Sequence, residues 1–345
     1  MTSWDTAEVM KTPMEICWQF SYEMSTEKLR NLYSKAKKLQ WDAEQHLDWT
    51  TPIDPSRPLI DEDRFGMTQL PFVQRMSTAQ QDGLRAHIAA YQLSQFMHGE
   101  QGALMTAAAL THAVPDYEGK LYAATQTMDE ARHVEVFARY IQKLAIVYPM
   151  APGLKALIDK TLTAGSWIKV AIGMNMVVEG LALGAFQNMR RATSCELLRS
   201  ILEGVLRDEA RHVAFGGTYV TQSVAAMHPD DREDVADFAY DVVVAMRGVR
   251  GGDEERGFRP DPGFVKVLAA VGIDPMDFAR GVMEARAAGV KVQPPTDQVH
   301  AFRDLMMPAL VRAGVVTERT RARYGEVGIK VHEDLSVLRA MEGAA

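Results

Sequence analysis

The pentapeptide DEARH occurs twice, at residues 129–133 and 208–212, inside segments that otherwise read as buried helix. Positions three apart on a helix share a face, so Glu130 and His133 point the same way, as do Glu209 and His212. The repeat reaches further back. Glu100 in HGEQGAL lies 30 residues before Glu130, and Glu179 in VVEGLAL lies 30 residues before Glu209. Each half therefore reads as a helix with one Glu among Gly, Ala, Leu, Met and Val, then a helix carrying Glu-x-x-His. An unpaired carboxylate is costly to bury in such surroundings, and neither Glu100 nor Glu179 has a Lys or Arg in its own turn. Both need a cation.

The segments around these motifs read as four long helices. They cover residues 79–113, 121–148, 166–192 and 195–227, interrupted by VPDYEGK, YPMAPG with a shorter helical stretch, and a Thr-Ser step. Short breaks between long helices predict antiparallel neighbours in an all-α four-helix bundle, and no strand alternation is visible. We divide the chain into an N-terminal helical segment and connecting loop (1–78), the bundle (79–228) and a C-terminal helical extension (229–345). In the first part, residues 26–48 place Leu29, Leu32, Ala36, Leu39 and Ala43 on one helical stripe. Proline-rich loops are expected at TTPIDPSRPLIDED, RGGDEERGFRPDPG and QPPTD.

Four carboxylates and two imidazoles converging inside a bundle form a ligand set for two iron or manganese ions. Their summed charge of −4 balances two divalent ions. The expected ligands are Glu100, Glu130, His133, Glu179, Glu209 and His212. Asp129 and Asp208 lie four residues before each His, placed to bond an imidazole N–H in the same or the facing helix, with Arg132 and Arg211 pairing with these acids. A lone Glu-x-x-His is a common surface pair; two copies at equal spacing from a Glu in an apolar helix are not. His98 faces away from Glu100 and reads as structural, Glu135 as a surface acid. Met97, Met105, Met128, Met174 and Met176 read as core filling, and Trp41 and Trp49 as packing.

A net charge of −7 without a long basic run argues against nucleic acid as a partner. The opening MTSWDTAEVMKTPMEICWQF carries early acidic residues and no apolar core, so neither a secretory signal nor a transit peptide is expected. VAIGMNMVV is interrupted by Glu179 short of the ~20 residues that span a bilayer, so we expect a cytoplasmic protein with no membrane span. Cys17 and Cys195, far apart and outside any CxxC, suggest neither a disulfide framework nor a zinc site.

Over about residues 80–225, HGEQGAL, DEARH, VVEGLAL and the second DEARH resemble the ferritin-like di-iron carboxylate superfamily. The likeness extends to the ribonucleotide reductase small subunit, the bacterial multicomponent monooxygenase hydroxylases and related single-chain di-iron oxygenases. It implies a ferritin-like bundle with additional N- and C-terminal helices, two Fe ions or an Mn/Fe pair, and O2 as co-substrate. The implied activity is a di-iron oxygenase or oxidase that hydroxylates, desaturates or N-oxygenates a small apolar or aromatic molecule. A separate reductase or ferredoxin would supply electrons, since no flavin or nicotinamide motif is present, and the resemblance implies a homodimer.

Four departures are visible. Phe137 stands where the reductase subunits carry a radical tyrosine. Gly102 and Met174 occupy the positions of the Val–Tyr crosslink of the ligand-binding oxidases. Leu183 replaces the threonine of the hydroxylases, and the region of Val205 lacks the third histidine of the arylamine N-oxygenases. A reductase-like radical generator or ligand-binding oxidase is thus one alternative, disfavoured by Phe137. A metal-storage bundle is the other, disfavoured by the long flanking segments.

Overall fold

The computed structural model describes residues 7–24, 26–60, 70–249, 261–289 and 298–343, and among these there is no β-strand. The helices are α1 (Glu27–Lys38), α2 (Ala43–His46), α3 (Pro71–Gln74), α4 (Thr78–Ala113), α5 (Tyr117–Leu144), α6 (Pro152–Leu162) and α7 (Trp167–Ala192). They continue as α8 (Glu196–Ala225), α9 (Pro229–Val249), α10 (Pro262–Ala270), α11 (Pro275–Ala287), α12 (Ala301–Met306 running into Met307–Arg312), α13 (Glu318–Glu326) and α14 (Ser336–Gly343). The loops expected at RGGDEERGFRPDPG and QPPTD, and the end of the first proline-rich stretch, fall mainly outside the described residues.

Local chemistry sets the ends of the long helices. Ser77 opens α4 with a reciprocal cap: its hydroxyl accepts from the Gln80 amide, and the Gln80 side chain accepts from the Ser77 amide. Val114, Pro115 and Asp116 then reverse the chain, and α5 starts at Tyr117, earlier than VPDYEGK suggested. The stripe expected through residues 26–48 is cut. Helix α1 ends at Lys38, Leu39 is exposed, and the chain turns so that Trp41 is buried with its indole Nε1 donating to Asp208 at 2.8 Å. A buried acceptor on α8 thus overrides local helix propensity.

Within α7, residues Ile172–Val178 wind as a π-helix, which the apolar pattern did not reveal. The whole helix is long and apolar enough to cross a membrane, despite Glu179. Yet 78% of its most apolar window is buried inside the fold, as befits a core helix.

The core divides into two apolar clusters. One gathers Leu110, Tyr122, Met176 and Phe215; the other gathers Leu93, Phe137, Phe186 and Val205. Along α4 the order is Leu93, Glu100, Leu110, and along α8 it is Val205, Glu209, Phe215. Along α5 and α7 the order of clusters is reversed, from Tyr122 past Glu130 to Phe137 and from Met176 past Glu179 to Phe186. Helices α4 and α8 therefore run one way and α5 and α7 the other, with the four glutamates level with one another between the clusters. Outside this bundle α1 lies on α5 and α8, α9 on α6, and α12 on α7. Gly184 permits the last approach: a Cβ there would lie 2.6 Å from that of Ala301.

Candidate metal centre

All six residues singled out from the sequence meet at mid-bundle, and each is buried. Ligand atoms of Glu100, Glu130, His133 and Glu209 lie within 4.8 Å of one another, and so do those of Glu130, Glu179, Glu209 and His212. The two groups share Glu130 and Glu209. Each thus offers one unshared Glu, one His and two carboxylates common to both, a layout that two adjacent cations would satisfy. Glu209 Oε2 is buried without a hydrogen-bond partner, and such an orphaned acceptor fits a missing cation.

The imidazoles are oriented by bonds that cross between helices. His133 on α5 faces Asp208 of α8 through Nε2 at 3.2 Å, and His212 on α8 faces Asp129 of α5 through Nε2 at 3.3 Å. Of the two arrangements the sequence left open, the facing helix supplies the acid. Nε2–H donation to a carboxylate turns each Nδ1 toward the glutamates, where His133 meets Glu100 and Glu130 at 3.2 Å and His212 meets Glu179 at 3.2 Å. Both arginines touch both aspartates. Arg132 reaches Asp129 at 2.5 Å and Asp208 at 2.9 Å, while Arg211 reaches Asp208 at 2.5 Å and Asp129 at 3.1 Å. Two positive and two negative side chains form a buried neutral square, and Gln40 joins it by donating to Asp129 and accepting from Arg132.

The six side chains shift one another's proton affinities. Burial, with the charge of Glu209 added, pushes the Glu100 carboxyl well above the carboxylate range, and burial with repulsion from Glu209 and Glu130 does the same to Glu179. Burial opposes charge on both imidazoles too, but the surrounding carboxylates prevail and hold His133 and His212 well above their ordinary values. Glu130 is held low against burial by the two imidazoles, and Glu209 is lowered by bonds to Glu179, His133 and His212. Two divalent ions would balance the four carboxylates once these are ionised.

Other residues noted in the sequence lie elsewhere. His98 bonds the Tyr148 carbonyl at 2.9 Å, and Glu135 sits at the surface beside Arg139. Met174 and Met176 are buried, whereas Met105 and Met128, expected as core filling, are exposed. The sequence reading missed Gln126 and Asn175. Gln126 Nε2 donates to Glu179 Oε1 at 2.8 Å and to Glu130 Oε1 at 3.1 Å, and its Oε1 accepts from Asn175 Nδ2 at 3.0 Å. The signal was the helical period: Gln126 lies one turn before Glu130, and Asn175 one turn before Glu179.

The family described as P-aminobenzoate N-oxygenase AurF matches residues 23–249. The chain belongs to this family. Membership assigns it to the ferritin-like di-iron carboxylate superfamily, and it is a dimetal oxidoreductase of the oxygenase and oxidase class, using O2. The valine at 205, which set the sequence apart from arylamine N-oxygenases, does not remove it from their family. Among curated proteins none matches. Solved structures of R2-like ligand-binding oxidases are similar at a distance. A substituted form with an anaerobically reconstituted Mn/Fe cofactor is 18% identical, with 79% of this chain and 96% of that one covered and a TM-score of 0.49. An aerobically reconstituted Mn/Fe form is 17% identical, with 91% and 96% covered and a TM-score of 0.46.

Proposed function

We propose that this chain N-oxygenates a small aromatic amine, with Glu100, Glu130, His133, Glu179, Glu209 and His212 holding the two metal ions. The observation that carries the reading is the pair of buried groups sharing Glu130 and Glu209. The substrate class rests on the family, whose description names the nitrogen of p-aminobenzoate as the site of oxygenation. In balanced form, an amine, O2, two electrons and two protons give a hydroxylamine and water. The electrons come from a separate reductase or ferredoxin, and the resemblance supports a homodimer.

When bound, the metal pair supplies the redox chemistry that cleaves O2. The protein supplies geometry, charge and dryness. Asp208 and Asp129 hold the imidazoles with Nδ1 toward the glutamates. Arg132 and Arg211 accompany the aspartates, which are held below the ordinary carboxylate range against burial by the facing imidazoles and by the guanidiniums. The apolar clusters on either side keep water away.

The test is to load the protein anaerobically with Fe(II), add p-aminobenzoate as the probe amine with a chemical reductant, and admit 18O2. Label on the nitrogen of the product supports the proposal. Consumption of O2 with no label on the nitrogen of any of a panel of aromatic amines refutes the substrate class. Failure to take up two irons refutes the ligand assignment.

A further inference from the structure

The internal repeat maps each residue of the first half onto one 79 positions later, as Glu100 onto Glu179 and Glu130 onto Glu209. Next to the glutamates the symmetry fails. Gln126 maps onto Val205, Phe96 onto Asn175, and Phe137 onto Gly216. One end of the centre is therefore closed by apolar groups, with Phe186 stacked on Phe137 at 5.5 Å and edge-on to Phe96 at 4.8 Å. The other end carries two bonded amides. Both are buried, and Gly216 makes room for them, since a Cβ at 216 would lie 2.6 Å from that of Asn175.

We propose that Gln126, steered by Asn175, is a positioning residue that makes the two metal positions unequal. The claim rests on the ligand assignment above. Ionised as metal ligands, Glu179 and Glu130 only accept, so in that state the Gln126 NH2 group faces the glutamates and its carbonyl faces the Asn175 NH2 group. Among the described residues, Gln126 is the one side chain outside the six that bonds any of the four glutamates. It touches Glu179, which belongs only to the group with His212, and Glu130, which both groups share. Glu100, the counterpart of Glu179, bonds only His133. The position at His212 therefore has its unshared carboxylate oriented in advance by an amide outside the ligand set, while the position at His133 has no such partner for its own among the described residues. Ordering a carboxylate beforehand removes an entropic cost from binding, and loss of such an outer partner typically weakens a metal site 10- to 100-fold.

The test uses Mn(II) alone, titrated into metal-free full-length protein and followed by calorimetry and by the electron paramagnetic resonance of free Mn(II). The wild type is expected to take up two Mn(II) in two resolved steps. Gln126→Met keeps length and shape but cannot donate, and is expected to weaken the tighter step about 10- to 100-fold while the other stays within about threefold. Asn175→Leu, which leaves Gln126 unsteered, is expected to shift the same step by less, and it serves alone if Gln126→Met does not fold. A general packing defect would move both steps together, so equal weakening overturns the proposal. So does an unchanged isotherm in both variants, or a wild type with two equal steps. A wild type that binds fewer than two Mn(II) overturns the ligand assignment itself and leaves this inference without its base.

Discussion

Filling the centre must expel protons. Glu100, Glu179, His133 and His212 are all shifted upward by the buried, mutually charged cluster, so each holds its proton to higher pH than a free side chain would. Glu130 and Glu209 are shifted down and have none to give. Metal ligands must be deprotonated, so uptake of two divalent ions should release protons. The overall constant for two-metal uptake then rises with pH, by one decade, about 1.4 kcal/mol, per pH unit for each proton released. The assay is calorimetric titration of Mn(II) in two buffers of different ionisation enthalpy, whose difference in heat gives the proton count directly. A release of one proton or fewer would refute the reasoning, since the carboxyls would then already be ionised in the empty protein.

The same shifts set the stability of the metal-free fold. Folded pKa values raised above the unfolded ones at Glu100, Glu179, His133 and His212 mean that the folded state binds more protons, so stability falls as pH rises above the ordinary carboxylate range. Thermal melts of chelated protein should give a lower Tm at pH 9 than at pH 6, and a higher one would contradict the assignment. Glu130 and Asp208, both shifted down, act in the opposite sense and matter only on acidification. Arg211→Met leaves Asp129 and Asp208 short of one buried partner and should cost about 3–5 kcal/mol in chemical denaturation; a loss under 1 kcal/mol would show that Arg132 alone suffices. Gly216→Ala drives a methyl against Asn175 and should cost about 1–3 kcal/mol, whereas a neutral result would mean that α7 and α8 separate freely there.

The repeated DEARH and its paired upstream glutamates announced the bundle and the six central residues because both obey the helical period, which any sequence displays. What the sequence concealed depends on tertiary contact. Trp41 read as a packing residue, and its bond to Asp208 appears only where the chain turns to meet that acid. The π segment at Ile172–Val178 carries no mark in its apolar composition, and it sits in close packing, with Gly173 beside Thr161 and Asn175 beside Gly216. Gln126 obeys the helical period, yet a lone glutamine on an apolar face gives no sign of charge. Its meaning emerged once Glu179 of another helix stood 2.8 Å away.

The square of Asp129, Asp208, Arg132 and Arg211 is neutral by itself and draws nothing from the ions beside it. It works as a permanent rivet between α5 and α8. A chelator should therefore empty the centre and leave a folded bundle that can be refilled, the reverse of a small zinc domain, whose scaffold collapses with its ion. A bundle that stays folded without its ions would then take them up by exchange at a finished site, which reloading the chelated protein with Mn(II) would show.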